Sequence, residues 1–357
     1  MAKMQLIAAE TLDRVTRAIF RKAGWPEAAC AELARHLVNA NLSGHDSHGV
    51  GMIPTYVDGI RRGDLKPSNT PQDLIVDGSF LVVDAHVALG QKVAFDTVNR
   101  ACDVARRHGV CVLNLVNAHH IGRIGHYAEL AAEQGLVALY WVNVAHTRAP
   151  VAPFGGSQGR LGTNPHTIGI PRASGEPLIL DFATSRIALG KVRVALNKGE
   201  QVGPDTLLDR DGRPTTEPGV MFEKPIGALL AFGEHKGSGL SIMAEILSAI
   251  VGRGTSVDQA LNADVVINNL FGIIIDPARL GADQATREAR LSAYVDYLKS
   301  SAPRDPTKPV MMPGDPERAA RAKRGAEGIP VDEATWHQIV ESAAYVGVDA
   351  EAVRRQG

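Results

Sequence analysis

The apolar run Val110-Cys-Val-Leu-Asn-Leu-Val116 passes directly into Asn117-Ala-His-His-Ile-Gly-Arg-Ile-Gly-His-Tyr127, and from there into Tyr127-Ala-Glu-Leu-Ala-Ala-Glu-Gln-Gly135. The first piece reads as a buried strand, because its apolar residues are dense and largely β-branched. The last reads as a helix closed by a C-terminal glycine. A strand that hands over to a helix through a glycine-punctuated polar stretch points to an α/β chain. In such folds, ligands bind in crevices at strand ends. Histidine is the side chain whose ordinary pKa suits proton transfer near neutrality. The expectation is therefore an active site around His119, His120 and Arg123.

The rest of the chain is consistent with an α/β architecture. Helical periodicity is read at Thr11–Gly24, Pro26–Leu42, Pro54–Gly63, Gln91–His108, Leu240–Val251 and Ala285–Leu298, with a charged helix after Pro316 and a short one from Asp332. Strands are read at Asp73–Asp77 and Phe80–Asp84, joined by an Asp-Gly-Ser turn, and again at Leu136–Asn143, Thr167–Pro171, Pro177–Phe182 and Val265–Ile275. The stretch from Gly203 to Pro218 reads as a surface excursion, and 144–162 as a long functional or interfacial loop. Three regions are expected: a helical segment over 1–70, an α/β core over 71–330 and a helical tail over 331–357.

Composition narrows the function. A net charge of -1 lacks the basic surplus that nucleic acid or an anionic membrane would demand. The three cysteines, Cys30, Cys102 and Cys111, lie in apolar segments and fit reduced core thiols of a cytoplasmic protein. The N-terminus runs straight into a helical pattern, unlike a signal peptide.

Ser43-Gly-His-Asp-Ser-His-Gly-Val-Gly51 concentrates polar groups at a helix exit. His45 and His48 are too sparsely accompanied for a metal site, so no metal is expected, whereas His48 suits acid/base work beside a carboxylate. Asp181 ends a strand, and Thr184 and Ser185 follow as an expected helix opening. Lys236 stands among glycines before a helix, where an anion is favoured. No Gly-x-Gly-x-x-Gly follows a strand and there is no P-loop; Gly155-Gly-Ser-Gln-Gly159 lies in a loop and is no nucleophile elbow.

Taken together, Asp46-Ser-His-Gly49, His120-Ile-Gly122, Ala152-Pro-Phe-Gly-Gly156, Gly162-Thr-Asn-Pro165, Leu180-Asp-Phe-Ala-Thr-Ser185, His235-Lys-Gly237 and Pro313-Gly-Asp315 resemble the type-2 malate/L-lactate dehydrogenase family. The runs at 41–54 and 119–125 look most like its hydroxycarboxylate dehydrogenase branch. The resemblance spans about residues 8–320. It implies a mixed β-sheet core flanked by helices, a non-Rossmann fold of the L-sulfolactate dehydrogenase type, and a cytoplasmic homodimer or larger assembly. It also implies NAD or NADP as cofactor and a small 2-hydroxy or 2-oxo acid as substrate.

By the same resemblance, His120 is the proton acceptor, with His48 and Asp181 beside it, the carboxylate orienting an imidazole. The implied cofactor positions are His48, Gly122, Arg123, Ile124, Asp181, Phe182, Ala183, Thr184, Ser185, Lys236, Asn269, Pro313, Gly314, Asp315 and Pro316. Relatives carry an arginine where this chain has Ser43 or Met52. A carboxylate prefers a bidentate guanidinium. Arg123 is therefore the expected clamp, with Ser47 and Asn164 as further substrate contacts and Arg148 and Arg160 behind. Alternatives are reduction of a cyclic imine acid, a ureidoglycolate- or malate-type dehydrogenase, and a non-catalytic cofactor sensor.

Overall fold

The computed structural model describes residues 4–146, 148–260 and 265–356. The chain begins with strand β1 (Met4–Ile7) and helices α1 (Ala9–Lys22), α2 (Glu27–Leu42) and α3 (Ile53–Arg62). The hairpin β2 (Gln72–Asp77) and β3 (Phe80–Asp84) follows, then α4 (Gly90–His108), β4 (Val110–His119), α5 (Gly125–Glu133) and β5 (Val137–Ala145). Next come β6 (His166–Ile170), β7 (Leu178–Phe182), α6 (Leu189–Lys198) and the short strands β8 (Leu207–Leu208), β9 (Pro214–Thr215) and β10 (Ala228–Leu229). The remainder holds α7 (His235–Glu245), β11 (Ile267–Ile275), α8 (Gln284–Lys299), α9 (Asp315–Glu327), β12 (Ile329–Asp332), α10 (Glu333–Tyr345) and α11 (Ala350–Arg354).

Seven strands form one sheet in the order β2-β3-β4-β11-β5-β6-β7. Its pairing is antiparallel throughout except between β3 and β4. This mixed sheet is the non-Rossmann arrangement that the family resemblance implies. Helix α4 explains itself: Val93, Ala94, Thr97, Val98, Ala101, Val104 and Ala105 repeat at helical spacing and are buried, while Arg106, Arg107 and His108 offset the negative helix end. That face packs into one core with Leu113 and Leu115 of β4, Tyr127 of α5 and Tyr140 of β5.

A second core joins the two ends of the chain. Antiparallel β1 and β12 pair, and Leu12, Ile19, Phe20, Leu33, Ile53 and Tyr56 share an interior with Ile329, Trp336, Ile339 and Ala343. The helical regions expected at 1–70 and 331–357 thus meet in one layer.

Three local expectations change. The strand from Val110 runs to His119, three residues past Val116, because β11 keeps pairing with it up to His119 opposite Ile267. Residues 203–218 are not a bare surface excursion: β8 pairs with β9 on one side and β10 on the other, burying Leu207 and Leu208. Thr184 does not open a helix, since α6 starts at Leu189 and the Thr184 hydroxyl donates to the carbonyls of Thr163 and Asn164.

Candidate active site

β4 delivers His119 as its last residue and His120 just beyond. The turn that follows is held by side-chain amides: the N–H of Ile121 donates to Asn268 Oδ1 at 3.0 Å, and Tyr127 Oη donates to the Ile121 carbonyl at 2.7 Å. Gly122 takes φ +77, and a Cβ there would lie 2.2 Å from His36 Nε2, so both conformation and space demand glycine. Helix α4 presses on the same turn. A Cβ on Gly90 would meet the carbonyl oxygens of His119 and His120 at 2.1 and 2.3 Å.

His120 and His48 lie nearly parallel, with ring centroids 5.7 Å apart and planes 17° from one another. Ser47 Oγ is 3.1 Å from His48 Nδ1. Both rings keep an accessible edge but sit deep among protein atoms. Burial holds His48 down at about 4, with His45 and Arg123 pushing the same way. Burial, then His48 and His119, hold His120 well below its ordinary value. Both imidazoles are neutral at pH 7 and can therefore accept protons.

The group that orients His120 is a phenol. Tyr56 Oη of α3 is 2.7 Å from His120 Nδ1 and also receives a hydrogen bond from Gln91 Nε2 of α4 at 2.6 Å. Neither residue stood out in the sequence. Tyr56 falls within the short helix expected at Pro54–Gly63, and Gln91 is the first residue of the helix expected to His108. Asp181, expected to orient an imidazole, instead accepts from the Gly125 N–H at 3.0 Å and lies 3.3 Å from Arg123 Nε. The helix start of α5 and a guanidinium claim its oxygen first.

Arg123 also departs from expectation. Its side chain is buried, with both terminal nitrogens 3.0 Å from Glu129 Oε1 and Nε against Asp181. Arg321 of α9 adds a second guanidinium at 2.5 Å from Glu129 Oε1 and donates from Nε to Ser43 Oγ at 2.9 Å. Two arginines thus neutralise two buried carboxylates. Burial opposes the charge on Glu129, but the arginines outweigh it and lower its pKa, whereas burial wins at Asp181 and raises it. The guanidinium expected to clamp a substrate is occupied internally. Arg148 contacts the Met221 carbonyl, and exposed Arg160 turns to Gln158 and Gly159.

Helix α9, which the sequence offers only as a charged helix, is the strap of the site. Glu317 is 3.1 Å from His45, Arg324 is 2.5 Å from Asp46, and Arg318 donates to the Pro177 carbonyl at 3.0 Å. The Pro313–Pro316 turn opens this helix, with Gly314 beside Ile179 of β7, two residues from Asp181. Ile124 is buried in the main sheet core. Phe182 packs edge-on against His166 and Phe232, Ala183 follows it out of β7, and the buried Ser185 hydroxyl has no hydrogen-bond partner among the described residues. Lys236 stands exposed in the first turn of α7.

Asn269 and Asn164 are structural in their contacts. Asn269 donates to Asn143 Oδ1 and the Thr255 carbonyl and accepts from the Asn117 N–H; Asn164 donates to Ser241 O and Glu245 and accepts from Val144 N. Both are fully buried. The sequence gives no metal spacing, but Glu32, His36 and His126 bring ligand atoms within 4.8 Å of one another. His36 Nε2 accepts the Arg123 N–H at 3.0 Å, so its free Nδ1 is the protonated nitrogen of the neutral ring, a poor cation ligand.

The mixed sheet thus brings His120, bonded to a phenol, and the parallel ring of His48 together beside paired charges, a candidate site for acid/base chemistry. Comparison with known proteins narrows the class. The family model described as malate/L-lactate dehydrogenase matches residues 7–340. Hydroxycarboxylate dehydrogenase B of Escherichia coli is 40% identical over 97% of this chain and 96% of its own. Among solved structures, sulfolactate dehydrogenase from Methanocaldococcus jannaschii superposes with a TM-score of 0.87 at 29% identity, covering 98% of this chain and 99% of the other. Delta1-piperideine-2-carboxylate reductase from Pseudomonas syringae pvar. tomato does so with a TM-score of 0.82 at 32% identity, covering 95% and 99%. The chain belongs to the malate/L-lactate dehydrogenase family and is an oxidoreductase. Among the described residues, no helix is long and apolar enough to cross a membrane.

Proposed function

We propose that this protein interconverts a 2-hydroxycarboxylic acid and its 2-oxo acid with NAD or NADP, His120 taking the alcohol proton in one direction and returning it in the other. The observation that carries this reading is the neutral His120 ring, held at Nδ1 by Tyr56 and stacked beside His48 at the end of β4. A base near an alcohol makes the carbinol hydrogen a better hydride, and a fixed ring makes that transfer efficient. The nicotinamide, when bound, supplies the hydride chemistry.

The residues present suit a phosphate-bearing ligand. The unpartnered Ser185 hydroxyl, the Lys236 ammonium in the first turn of α7 and the Pro313–Pro316 turn beside β7 are the groups that would hold it. Arg123 and Asp181 act in this reading as a charge-balanced support beneath the histidines, and Ser47 orients His48. Three buried free thiols suit a reducing, cytoplasmic setting, and a homodimer or larger assembly is the expected state.

A panel of 2-oxo acids (pyruvate, oxaloacetate, oxoglutarate, phenylpyruvate) and a cyclic imine acid, each with NADH and NADPH, tests the reading. Oxidation of cofactor with formation of a hydroxy acid is expected. The likeness to a piperideine-carboxylate reductase makes imine reduction the second reading, and an amine product with no hydroxy acid would select it.

A further inference from the structure

A neutral imidazole accepts a proton at one nitrogen only while the other already carries one. Nδ1 of His120 is engaged by Tyr56 at 2.7 Å, so Nε2 is the nitrogen left for the substrate. For Nε2 to be basic, Nδ1 must be the N–H and Tyr56 must accept from it. The phenol hydrogen then needs another acceptor. Gln91 is the other partner of that hydroxyl, 2.6 Å away and fully buried.

With Nε2 of Gln91 on the phenol, Gln91 Oε1 is a buried acceptor with no partner among the described residues. In that arrangement Tyr56 has only Nδ1 to donate to, and His120 carries its proton on the substrate-facing nitrogen. A half turn about the last side-chain bond exchanges the oxygen and nitrogen of an amide, two ends that X-ray density itself barely distinguishes. It gives the Gln91 oxygen the phenol hydrogen and frees the phenol oxygen to accept.

We propose that Gln91 is a positioning residue: by presenting Oε1 to Tyr56 it fixes the sequence His120 Nδ1–H to Tyr56 Oη and Tyr56 O–H to Gln91 Oε1, and so selects the tautomer of His120 that can react. The alcohol O–H bond then breaks toward His120 Nε2, a bound nicotinamide being the group that would take the carbinol hydride, and the imidazolium formed keeps its Nδ1–H on Tyr56. Returning the proton to a 2-oxo acid uses the same arrangement, because the imidazolium also needs Tyr56 as an acceptor. The opposite amide orientation leaves the ring idle in both directions. A neutral amide sets the tautomer as a carboxylate would, but without adding a negative charge that would raise the pKa of the ring.

This inference rests on the role proposed above for His120, but its first test needs no substrate. Nitrogen-15 NMR of the full-length chain with labelled histidine distinguishes the two tautomers, and the His120 signal is identified by its loss in His120→Asn. The Nδ1–H tautomer is expected in the native protein and in Gln91→Glu, whose carboxylate only accepts. Gln91→Leu should shift the ring toward Nε2–H. On any substrate found in the panel, Gln91→Leu should lower kcat about 10- to 100-fold, below the loss of about 100-fold or more expected for removing the general base itself, and leave KM within about 3-fold. Gln91→Glu should retain turnover and raise the pH of the limb of kcat/KM that His120 sets, the alkaline limb when a 2-oxo acid is reduced. A native Nε2–H ring, or an unchanged Nδ1–H ring in Gln91→Leu, overturns the proposal. Should Gln91→Leu not fold, Tyr56→Phe takes its place with the same expected shift. If no panel compound turns over, the tautomer measurement still decides the matter.

Discussion

Gly90 and His120 touch backbone to backbone: a single methyl group on Gly90 would stand 2.3 Å from the His120 carbonyl oxygen. The first turn of α4 is thereby pressed onto the end of β4, and the same turn carries Gln91 to Tyr56. Gly90→Ala forces these elements apart. We expect a loss of about 1–3 kcal/mol in stability from the overpacking. A displacement of His120 near 1 Å would add about a 100-fold loss of turnover. Urea unfolding and steady-state kinetics on one preparation check both; unchanged values would mean that the helix start yields freely.

Replacing the proposed base is the direct test of the chemistry. His120→Asn should lower kcat by at least ~100-fold while circular dichroism and thermal midpoint stay close to native. Turnover within a few-fold of native would move the proton transfer to another group, and His48 is the ring nearest at hand.

Arg123→Met separates a support from a clamp. The substitution leaves Asp181 without its guanidinium and Glu129 with Arg321 alone, both largely buried. Breaking a buried pair by removing one partner costs about 3–5 kcal/mol. We expect a fall of that order in the free energy of unfolding. A variant of native stability with a raised KM for an acid substrate would return Arg123 to the role of carboxylate clamp.

The fold should weaken in acid through its buried imidazoles. Burial is the main cause that lowers the His119 pKa to about 4, while Asp64 and Arg62 act on it in opposite senses. The unfolded ring titrates near 6.5, so between pH 6.5 and 4 the unfolded chain binds more protons and stability rises with pH. The contribution is present above 6.5 and is lost as pH falls toward 4, about 3 kcal/mol for this ring alone. Chemical denaturation at pH 7, 6 and 5 should show a falling midpoint, and His119→Asn should flatten the decline.

What the sequence discloses follows from how local each signal is. Strand β4, the β2–β3 hairpin and α4 announce themselves by spacing and end residues that lie next to one another. The histidines were legible because imidazole at a strand end is unusual. Tyr56 and Gln91 were not, since each looks ordinary beside its own neighbours and acquires meaning only when α3 and α4 converge on a residue 64 and 29 positions away. The surroundings of Arg123 were hidden for a related reason. An arginine near an expected anion site suggests a ligand, whereas its partners Glu129 and Asp181 come from α5 and β7, and Arg321 of α9 shares Glu129 with it. The charged pattern of α9 likewise reads as a solvated surface until the contacts of Glu317 with His45 and of Arg324 with Asp46 are seen.

The pairing of β1 with β12 has a consequence for biosynthesis. Phe20, Ile53 and Tyr56 share their interior with Trp336, Ile339 and Ala343, so a ribosome must release the last helices before those early side chains gain their permanent neighbours. The phenol that steadies His120 lies in α3, and its core is complete only once α10 is present to close it. A chain stalled during translation would carry both histidines and still lack a completed site.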